Sequence, residues 1–216
     1  MSDSRALVCR ACGDTFTPSA ELSARFPGWT PRDCPRCYRG AKAGGRRGVA
    51  AMAAAGEQQL TLSEVLERYA DGPDEGVFTD GSASPNPGPG GWGAVYVVGG
   101  EVVAQDHGHE PHTTNNRMEL TAVLRGVELV PAGTPAVVYS DSNLVVRTIN
   151  EWAAGWAARG WRRKTGPVEN LDLVQPLYEL VRSRPELELH WIKAHAGNRW
   201  NEYADALATA YARDRL

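Results

Sequence analysis

The feature that most constrains the fold is an alternation of strand-like and helix-like patterns along residues 76–216. Apolar runs of strand length lie between turn residues, and Leu120, Val123 and Val127 mark the apolar stripe of a helix. The predicted elements are strands at 77–79, 92–98, 101–107, 136–139 and 187–192, and helices at 115–130, 142–153, 168–183 and 200–213. This order predicts an α/β fold, a mixed five-stranded sheet with an antiparallel first meander and helices on both faces.

Two segments precede this main domain. The 216 residues allow one domain of about 150 residues plus a small appendage. Residues 1–40 hold all four cysteines, whereas Ala, Gly and Arg dominate the start of a predicted linker, residues 41–75. Within the linker, Thr61-Leu62-Ser63-Glu64 is a capping-box pattern that predicts a short helix near 61–70, either packed on a neighbour or serving as a spacer. Residues 76–216 form the third predicted domain.

The four cysteines form two C-x-x-C pairs, Cys9 with Cys12 and Cys34 with Cys37, separated by 21 residues. This spacing is typical of a tetrahedral zinc site, and about 40 residues are too few to fold by apolar burial alone. Two disulfides or a redox pair are the alternatives, although reduced thiols are expected where no export signal is found. The segment resembles a small bacterial zinc-ribbon or treble-clef module, and that resemblance says little about function.

Charge is distributed unevenly along the chain. Residues 1–48 hold nine Lys and Arg against four Asp and Glu, whereas residues 77–216 hold 13 against 16. A basic arm on an acidic domain suits a polyanion such as nucleic acid, with an ordinary solvated surface or a protein contact as the alternatives. No apolar stretch approaches the roughly 20 residues of a membrane span, and the N-terminus lacks an apolar export segment. We therefore expect a cytoplasmic monomer without a membrane partner.

Four carboxylates stand in separate short motifs, at Asp80, Glu119, Asp141 and Asp205. If they converge at one edge of the sheet, their charges cannot all persist in a partly buried site without a cation. Oxygen ligands of this kind suit Mg²⁺ or Mn²⁺, which points to metal-assisted phosphodiester chemistry. Taken singly, Glu119 is also well placed at a helix N-terminus, and Asp205 is an ordinary solvated helix position.

The motifs around these carboxylates resemble those of the type 1 ribonuclease H family. The first half of the resemblance is carried by Phe78-Thr79-Asp80-Gly81-Ser82 and by Asn115-Asn116-Arg117-Met118-Glu119-Leu120. The second half is carried by Asp141-Ser142, by the tryptophans at 152, 156 and 161, and by His195-Ala196-Gly197 ten residues before Asp205. The resemblance spans about 140 residues in order. It implies a ribonuclease H-like sheet with a catalytic set of Asp80, Glu119, Asp141, Asp205 and His195.

The same resemblance implies a reaction. Two Mg²⁺ or Mn²⁺ ions held by the four carboxylates would support endonucleolytic hydrolysis of the RNA strand of an RNA/DNA hybrid, leaving 5′-phosphate and 3′-hydroxyl ends. His195 lies in a loop of small residues, where it would shuttle a proton or help product leave; a solvent-facing loop histidine is the alternative. Three other histidines, His107, His109 and His112, are expected to be structural or solvated.

Residues that bind substrate follow from the resemblance as well. They are Gly81, Asn86, Thr114, Asn115, Asn143, Trp152, Trp156, Trp161, Arg162, Arg163 and Lys164. The asparagines suit the minor groove, where 2′-hydroxyl groups distinguish RNA from DNA, and the last six residues resemble a basic protrusion. Alternatively, Trp152 and Trp156 simply pack together, and each asparagine is a turn or cap residue. Asn143 stands where the family often has glutamine, and Ala157-Ala158 leaves the protrusion less basic.

Two other functions compete with this interpretation. A fold relative that cuts DNA, such as a transposase or a junction-resolving nuclease, would lack this continuous set of motifs. A hybrid-binding protein without catalysis would not need all four carboxylates and His195. Cleavage of duplex DNA would favour the first alternative, and tight hybrid binding without turnover would favour the second.

Overall fold

The computed structural model describes residues 6–8, 15–17 and 60–213. Contacts divide the chain into two units, Met1–Gln58 and Gln59–Leu216. In the first unit, strand β1 (Leu7–Val8) pairs antiparallel with strand β2 (Thr15–Phe16). All four cysteines lie outside the described residues, so the zinc module and its bounds stay predictions.

The second unit is built on the predicted mixed sheet, and that prediction is confirmed. Its strands are β3 (Gly76–Ala83), β4 (Gly88–Val98), β5 (Glu101–Thr113), β6 (Ala136–Ser140) and β9 (Leu187–Trp191), in the spatial order β5-β4-β3-β6-β9. The first three strands form an antiparallel meander, whereas β6 is parallel to both β3 and β9. A two-stranded ribbon, β7 (Arg162–Arg163) and β8 (Gly166–Pro167), stands apart from this sheet.

The helices alternate with the strands as the sequence predicts. They are α1 (Leu62–Arg68), α2 (Asn115–Leu129), α3 (Asn143–Arg147), α4 (Ala153–Ala157), α5 (Leu171–Arg182) and α6 (Arg199–Ala208). A π-helical turn, Thr148–Trp152, joins α3 to α4, and a 3₁₀ turn, Ala210–Ala212, follows α6. Within the described residues, no helix is long and apolar enough to cross a membrane.

Helices cover both faces of the sheet because neighbouring residues of each strand point to opposite sides. On β3, Val77 packs into a cluster with the predicted apolar stripe of α2, including Val123 and Val127. The next residue, Phe78, packs into a second cluster on the other face, where α6 contributes Leu207. Burying each such large apolar side chain stabilises the fold by about 1.5–3 kcal/mol.

The short helix predicted near 61–70 is present as α1, and it packs on the main unit. Thr61 and Glu64 form the predicted capping box: Thr61 Oγ1 accepts from the Glu64 N–H, and Glu64 Oε2 accepts from the Thr61 N–H at 2.7 Å. Val65 is 1% exposed and lies in the same cluster as Trp200 of α6. Helix α1 is therefore docked on the sheet domain and is not a free spacer.

The first hairpins are longer than predicted. Strand β4 already begins at Gly88, before the predicted start at residue 92, and β5 continues to Thr113, with which Gly88 pairs. The polar stretch that contains His107, His109 and His112 is therefore part of β5 and does not form a connection to α2. Strand β5 lies at the edge of the sheet with most of its residues exposed, so it does not need the apolar alternation that marks a covered strand.

Candidate active site

Two of the predicted catalytic carboxylates lie side by side because their strands are parallel neighbours. Thr79 of β3 pairs in register with Ser140 of β6, and the next residues along the two strands are Asp80 and Asp141. Thr79 Oγ1 also donates to the Tyr139 carbonyl at 3.0 Å, which ties the strands together just before the carboxylates. Asp80 is buried at 8% exposure, and Asp141 is half-buried directly after β6.

Helix α2 brings Glu119 to the same place through a close approach at Gly81. A Cβ atom on Gly81 would lie 2.2 Å from both the Glu119 nitrogen and the Met118 carbonyl carbon. The N-terminal half of α2, at Met118 and Glu119, therefore rests directly on the backbone of β3, next to Asp80. Each of Asp80, Glu119 and Asp141 offers a carboxylate oxygen within 4.8 Å of the others.

These carboxylates raise one another's pKa. Burial, followed by the negative charges of Glu119, Asp141 and Asp205, raises the pKa of Asp80 well above its ordinary range. Burial and the charge of Asp141 likewise raise the pKa of Glu119 well above its ordinary range. The pKa of Asp141 is also raised by burial, an effect opposed by a hydrogen bond from Asn201 and by the nearby His195. Ionising the whole cluster therefore requires a compensating cation.

The donor set fits a hard divalent ion. Within the described residues, Glu119 Oε2 is buried and has no hydrogen-bond partner, so it keeps a free lone pair beside Asp80 and Asp141. Asp80, Glu119 and Asp141 each offer a carboxylate oxygen to this centre, the kind of ligand that Mg²⁺ and Mn²⁺ prefer. The charge and the side chain of Asp205 on α6 also raise the pKa of Asp80, so Asp205 acts on the same cluster, while its role as a metal ligand stays a prediction.

Two residues that position Asp141 were not found from the sequence. Asn201, 2% exposed, donates through Nδ2 to Asp141 Oδ2 at 3.3 Å, and Trp191 of β9 donates through Nε1 to the Asp141 carbonyl at 3.0 Å. Helical spacing was the available signal for Asn201, because it precedes Asp205 by four residues and shares its face of α6. Trp191 gave no comparable signal, since its contact depends on the pairing of β6 with β9.

His195 lies beside the cluster in the loop that precedes α6. Its backbone is left-handed, with φ of 47°, and its side chain is 55% exposed. His195 Nδ1 lies 3.9 Å from Oε2 of Glu202, a buried residue whose Oε1 accepts from the Gly197 N–H at 3.4 Å. A positive charge on His195 lowers the pKa of Asp141. Its catalytic role stays a prediction.

The predicted substrate-binding residues near α2 form one hydrogen-bonded group. Thr114 is the N-cap of α2, and its Oγ1 accepts from the Arg117 N–H. Asn115 Oδ1 accepts from the Ala83 N–H at 2.6 Å, and Asn86 Oδ1 accepts from the Asn115 N–H at 3.3 Å. Their side-chain oxygens thus shape the start of α2 and leave the exposed amide groups of Asn86 and Asn115 to face solvent. Asn143 is exposed at the start of α3.

The predicted basic protrusion is an aromatic seam capped by a small ribbon. The Trp152 and Trp156 rings are tilted with centroids 6.1 Å apart, and Trp161 meets Tyr178 edge-on at 5.7 Å. Trp156 and Trp161 also pack against the core, so these rings serve packing whether or not they touch substrate. Of the cations, Arg162 and Lys164 are exposed, whereas Arg163 pairs with Glu169 at 2.9 Å.

A carboxylate cluster at the interior strands of a mixed sheet defines a metal-dependent hydrolase site, and comparison with known proteins identifies the family. The ribonuclease H family model matches residues 73–213. A ribonuclease H of Methylorubrum extorquens is 47% identical over 140 residues, which cover 65% of this chain and 60% of that protein. A ribonuclease H of Aromatoleum aromaticum is 49% identical over 133 residues, which cover 61% of this chain and 86% of that protein.

A solved structure agrees with these relatives. LC9-RNase H1, described as a type 1 ribonuclease H with the type 2 active-site motif, is 34% identical, with a TM-score of 0.54, and the match covers 66% of this chain and 74% of that one. The chain therefore belongs to the ribonuclease H family, and the predicted enzyme class is confirmed. Residues 1–72 lie outside the family match.

Proposed function

We propose that this protein hydrolyses internal phosphodiester bonds of the RNA strand in RNA/DNA hybrids and leaves 5′-phosphate and 3′-hydroxyl ends. The observation that carries this proposal is the convergence of Asp80, Glu119 and Asp141 within 4.8 Å, on a chain that belongs to the ribonuclease H family. Such a site must neutralise its own charge with divalent ions before it can accept a phosphate.

The side chains of the cluster have distinct roles in this proposal. Asp80, Glu119, Asp141 and Asp205 would hold two Mg²⁺ or Mn²⁺ ions. Once bound, the ions supply a nucleophilic water and stabilise the leaving 3′-oxygen. Asn201 and Trp191 keep Asp141 in place by holding its carboxylate and its carbonyl, respectively. His195, half-exposed at the rim, moves a proton or assists the departure of product.

Substrate binding would use the two groups that flank the carboxylates. Asn86, Asn115 and Asn143 reach the minor groove, Thr114 holds a phosphate of the DNA strand, and the backbone at Gly81 approaches the scissile phosphate. The aromatic seam of Trp152, Trp156 and Trp161 packs on sugars while Arg162, Arg163 and Lys164 neutralise phosphates. Exposure of Asn143, Arg162 and Lys164 supports this assignment.

The proposed activity is tested by incubating the full chain with labelled RNA/DNA hybrid, single-stranded RNA, duplex RNA and duplex DNA, each with Mg²⁺ or Mn²⁺. We expect cleavage of the hybrid RNA strand alone, because only a hybrid presents 2′-hydroxyl groups on one strand and deoxyribose on the other. Product ends are identified by whether a ligase or a phosphatase acts on them. Cleavage of duplex DNA, or tight hybrid binding without turnover under both metals, would contradict the proposal.

For the N-terminal segment we propose a zinc module, ligated by Cys9, Cys12, Cys34 and Cys37, that adds affinity for nucleic acid. The four thiolates in two C-x-x-C pairs and the excess of nine basic over four acidic residues in 1–48 support this assignment. A cytoplasmic monomer stays our prediction from the sequence.

Deleting residues 1–48 tests the N-terminal module. We expect the shortened protein to bind hybrid more weakly and with a shallower dependence on salt, because fewer phosphates are neutralised. It should also lose about one equivalent of zinc that the reduced full chain carries. Unchanged affinity and salt dependence would make the segment a protein-interaction module, and less than about half an equivalent of zinc in the full chain would exclude four-cysteine ligation.

A further inference from the structure

Residues 60–72, here called the brace, lie outside the family match yet contact the start of α6. The brace consists of Leu60 and Thr61, helix α1, and the segment 69–72 that follows it. Arg199, the first residue of α6, donates through Nε to the Tyr69 carbonyl at 2.8 Å and through Nη2 to the Leu66 carbonyl at 3.1 Å. These carbonyls belong to the unsatisfied C-terminal end of α1, so one guanidinium joins the end of α1 to the start of α6.

The brace also contacts the backbone of the loop that carries His195. The Arg199 N–H donates to the Asp71 carbonyl at 2.8 Å, and Asp71 pairs with Asn198 as a parallel β-bridge. At the next residue, Gly72 has φ of +111°, and a Cβ atom there would lie 2.8 Å from Asn198 Oδ1 and 3.3 Å from Asn198 Cα. The brace therefore lies directly against Asn198, three residues after His195.

The other side of this loop is held from within α6. Glu202, one turn beyond Arg199, accepts from the Gly197 N–H and lies near His195 Nδ1. Both His195 and Gly197 have positive φ, of 47° and 78°. Gly197 adopts this backbone freely, whereas the left-handed backbone of His195 persists only when its surroundings hold it. Both α6 and the brace contact this loop.

The brace is itself firmly docked, so it can serve as a fixed support. Val65 is 1% exposed against Trp200, and Arg213 donates to the Leu60 carbonyl at the start of the brace. The capping box at Thr61 stabilises this same end of α1, and Arg199 holds the C-terminal end. The brace is thus held at both ends of α1, and residues 71 and 72 that follow it touch the His195 loop.

We propose that the brace is a positioning element for the His195 loop and thereby sets the turnover rate of hybrid cleavage. Arg199 and Gly72 are the positioning residues: Arg199 ties α1 to α6, and Gly72 permits the close approach to Asn198. The effect on turnover rests on the proposed function of His195, whereas the effect on the loop does not. The segment that precedes the family match is in this way part of the catalytic unit.

Full-length Arg199→Ala and Gly72→Ala test this inference. We expect each to lower kcat roughly tenfold with KM changed less than about twofold, because misplacing a group near the chemistry slows the reaction more than it weakens binding. Amide exchange of residues 194–198 should become faster in both. The matched control is Gly133→Ala, where φ is also positive (+78°) but no atom lies within 4 Å of the added Cβ, and its kcat and loop exchange should stay unchanged.

A double-variant cycle separates positioning from general destabilisation. If the brace acts through the loop, Arg199→Ala should add no further loss of kcat to His195→Ala. The inference would be overturned if the two losses of kcat multiplied in the double variant. It would also be overturned if amide exchange of residues 194–198 were unchanged in both brace variants. Full activity of His195→Ala would instead refute the proposed role of His195 and the effect of the brace on turnover, while loop exchange still tests the positioning itself. Unfolding temperatures show whether each variant is folded. If Arg199→Ala does not fold, Gly72→Ala takes its place in the cycle.

Discussion

Asp80→Asn is expected to lower the rate of hybrid cleavage at least about a thousandfold while hybrid binding and fold are retained. Asp80 is the most buried of the three converging carboxylates, and the charge of Asp205 raises its pKa as well. An amide of the same shape keeps the packing but offers one neutral oxygen in place of a charged pair, so the divalent ions lose their central ligand. Single-turnover cleavage of labelled hybrid and a separate binding titration measure the two effects.

The same variant should be more stable than the wild type when metal is removed. Because the pKa of Asp80 in the folded protein lies well above its ordinary range near 4, the folded state binds a proton that the unfolded state releases. The stability contributed by this proton is complete below about pH 4 and is lost as pH rises through the folded-state pKa. At pH 8 with chelator, we therefore expect Asp80→Asn to raise the free energy of unfolding by about 1–3 kcal/mol.

The matched control for this variant is Asp106→Asn on the edge strand β5, where the carboxylate is exposed. Its cleavage rate and its stability should stay close to those of the wild type. Denaturant unfolding of all three proteins at pH 5 and pH 8 gives the comparison. Equal stability of Asp80→Asn and wild type at pH 8 would mean that the cluster carries little repulsion, and undiminished cleavage by Asp80→Asn would remove the basis of the proposed function.

Gly81→Ala is expected to have the largest effect on the fold. The added Cβ would lie 2.2 Å from the Glu119 nitrogen and the Met118 carbonyl carbon, which are backbone atoms that cannot rotate away. Helix α2 must then move off β3, and Glu119 moves away from Asp80. We expect a loss of at least about 3 kcal/mol in the free energy of unfolding, together with loss of cleavage.

Gly155→Ala in α4 is the control for that measurement. There the nearest atoms to an added Cβ belong to the flexible Arg159 side chain, at 3.4 Å. A glycine replaced by alanine inside a helix gains roughly 0.5–1 kcal/mol from backbone entropy alone. If the two variants had the same free energy of unfolding, α2 would tolerate displacement from the sheet. That result would contradict the structural account of how Glu119 is placed.

Local chemistry explains which parts of the fold the sequence predicts. The capping box at Thr61 and Glu64 predicts α1 because both hydrogen bonds form within four residues. Convergence of Asp80 and Asp141 follows if two apolar strands pair in parallel, since both residues then follow the in-register pair Thr79 and Ser140. The first inference needs no knowledge of distant contacts, whereas the second depends on β3 and β6 lying side by side.

Features that depend on tertiary contacts were out of reach. Strand β5 was cut short at residue 107 because an exposed edge strand lacks the apolar alternation that the prediction relied on. Trp191 touches Asp141 only because β9 pairs with β6, and Arg199 acts on α1 across more than 120 residues of sequence. The sequence predicted that Gly81 contacts substrate, whereas the structure shows that the close packing of α2 on β3 already requires a glycine at this position. Its predicted contact with substrate is separate and still open.

The 13-residue edge strand β5 has a consequence for the behaviour of the molecule in concentrated solution. A strand this long leaves a row of backbone groups that another chain can pair with, which is the usual route to aggregation. Here Asp106 and Glu110 project from that row, and the register against β4 shifts at two places, which bends the row out of line. Replacing these acidic side chains with apolar ones would make the exposed edge of β5 prone to pair with a strand of another chain.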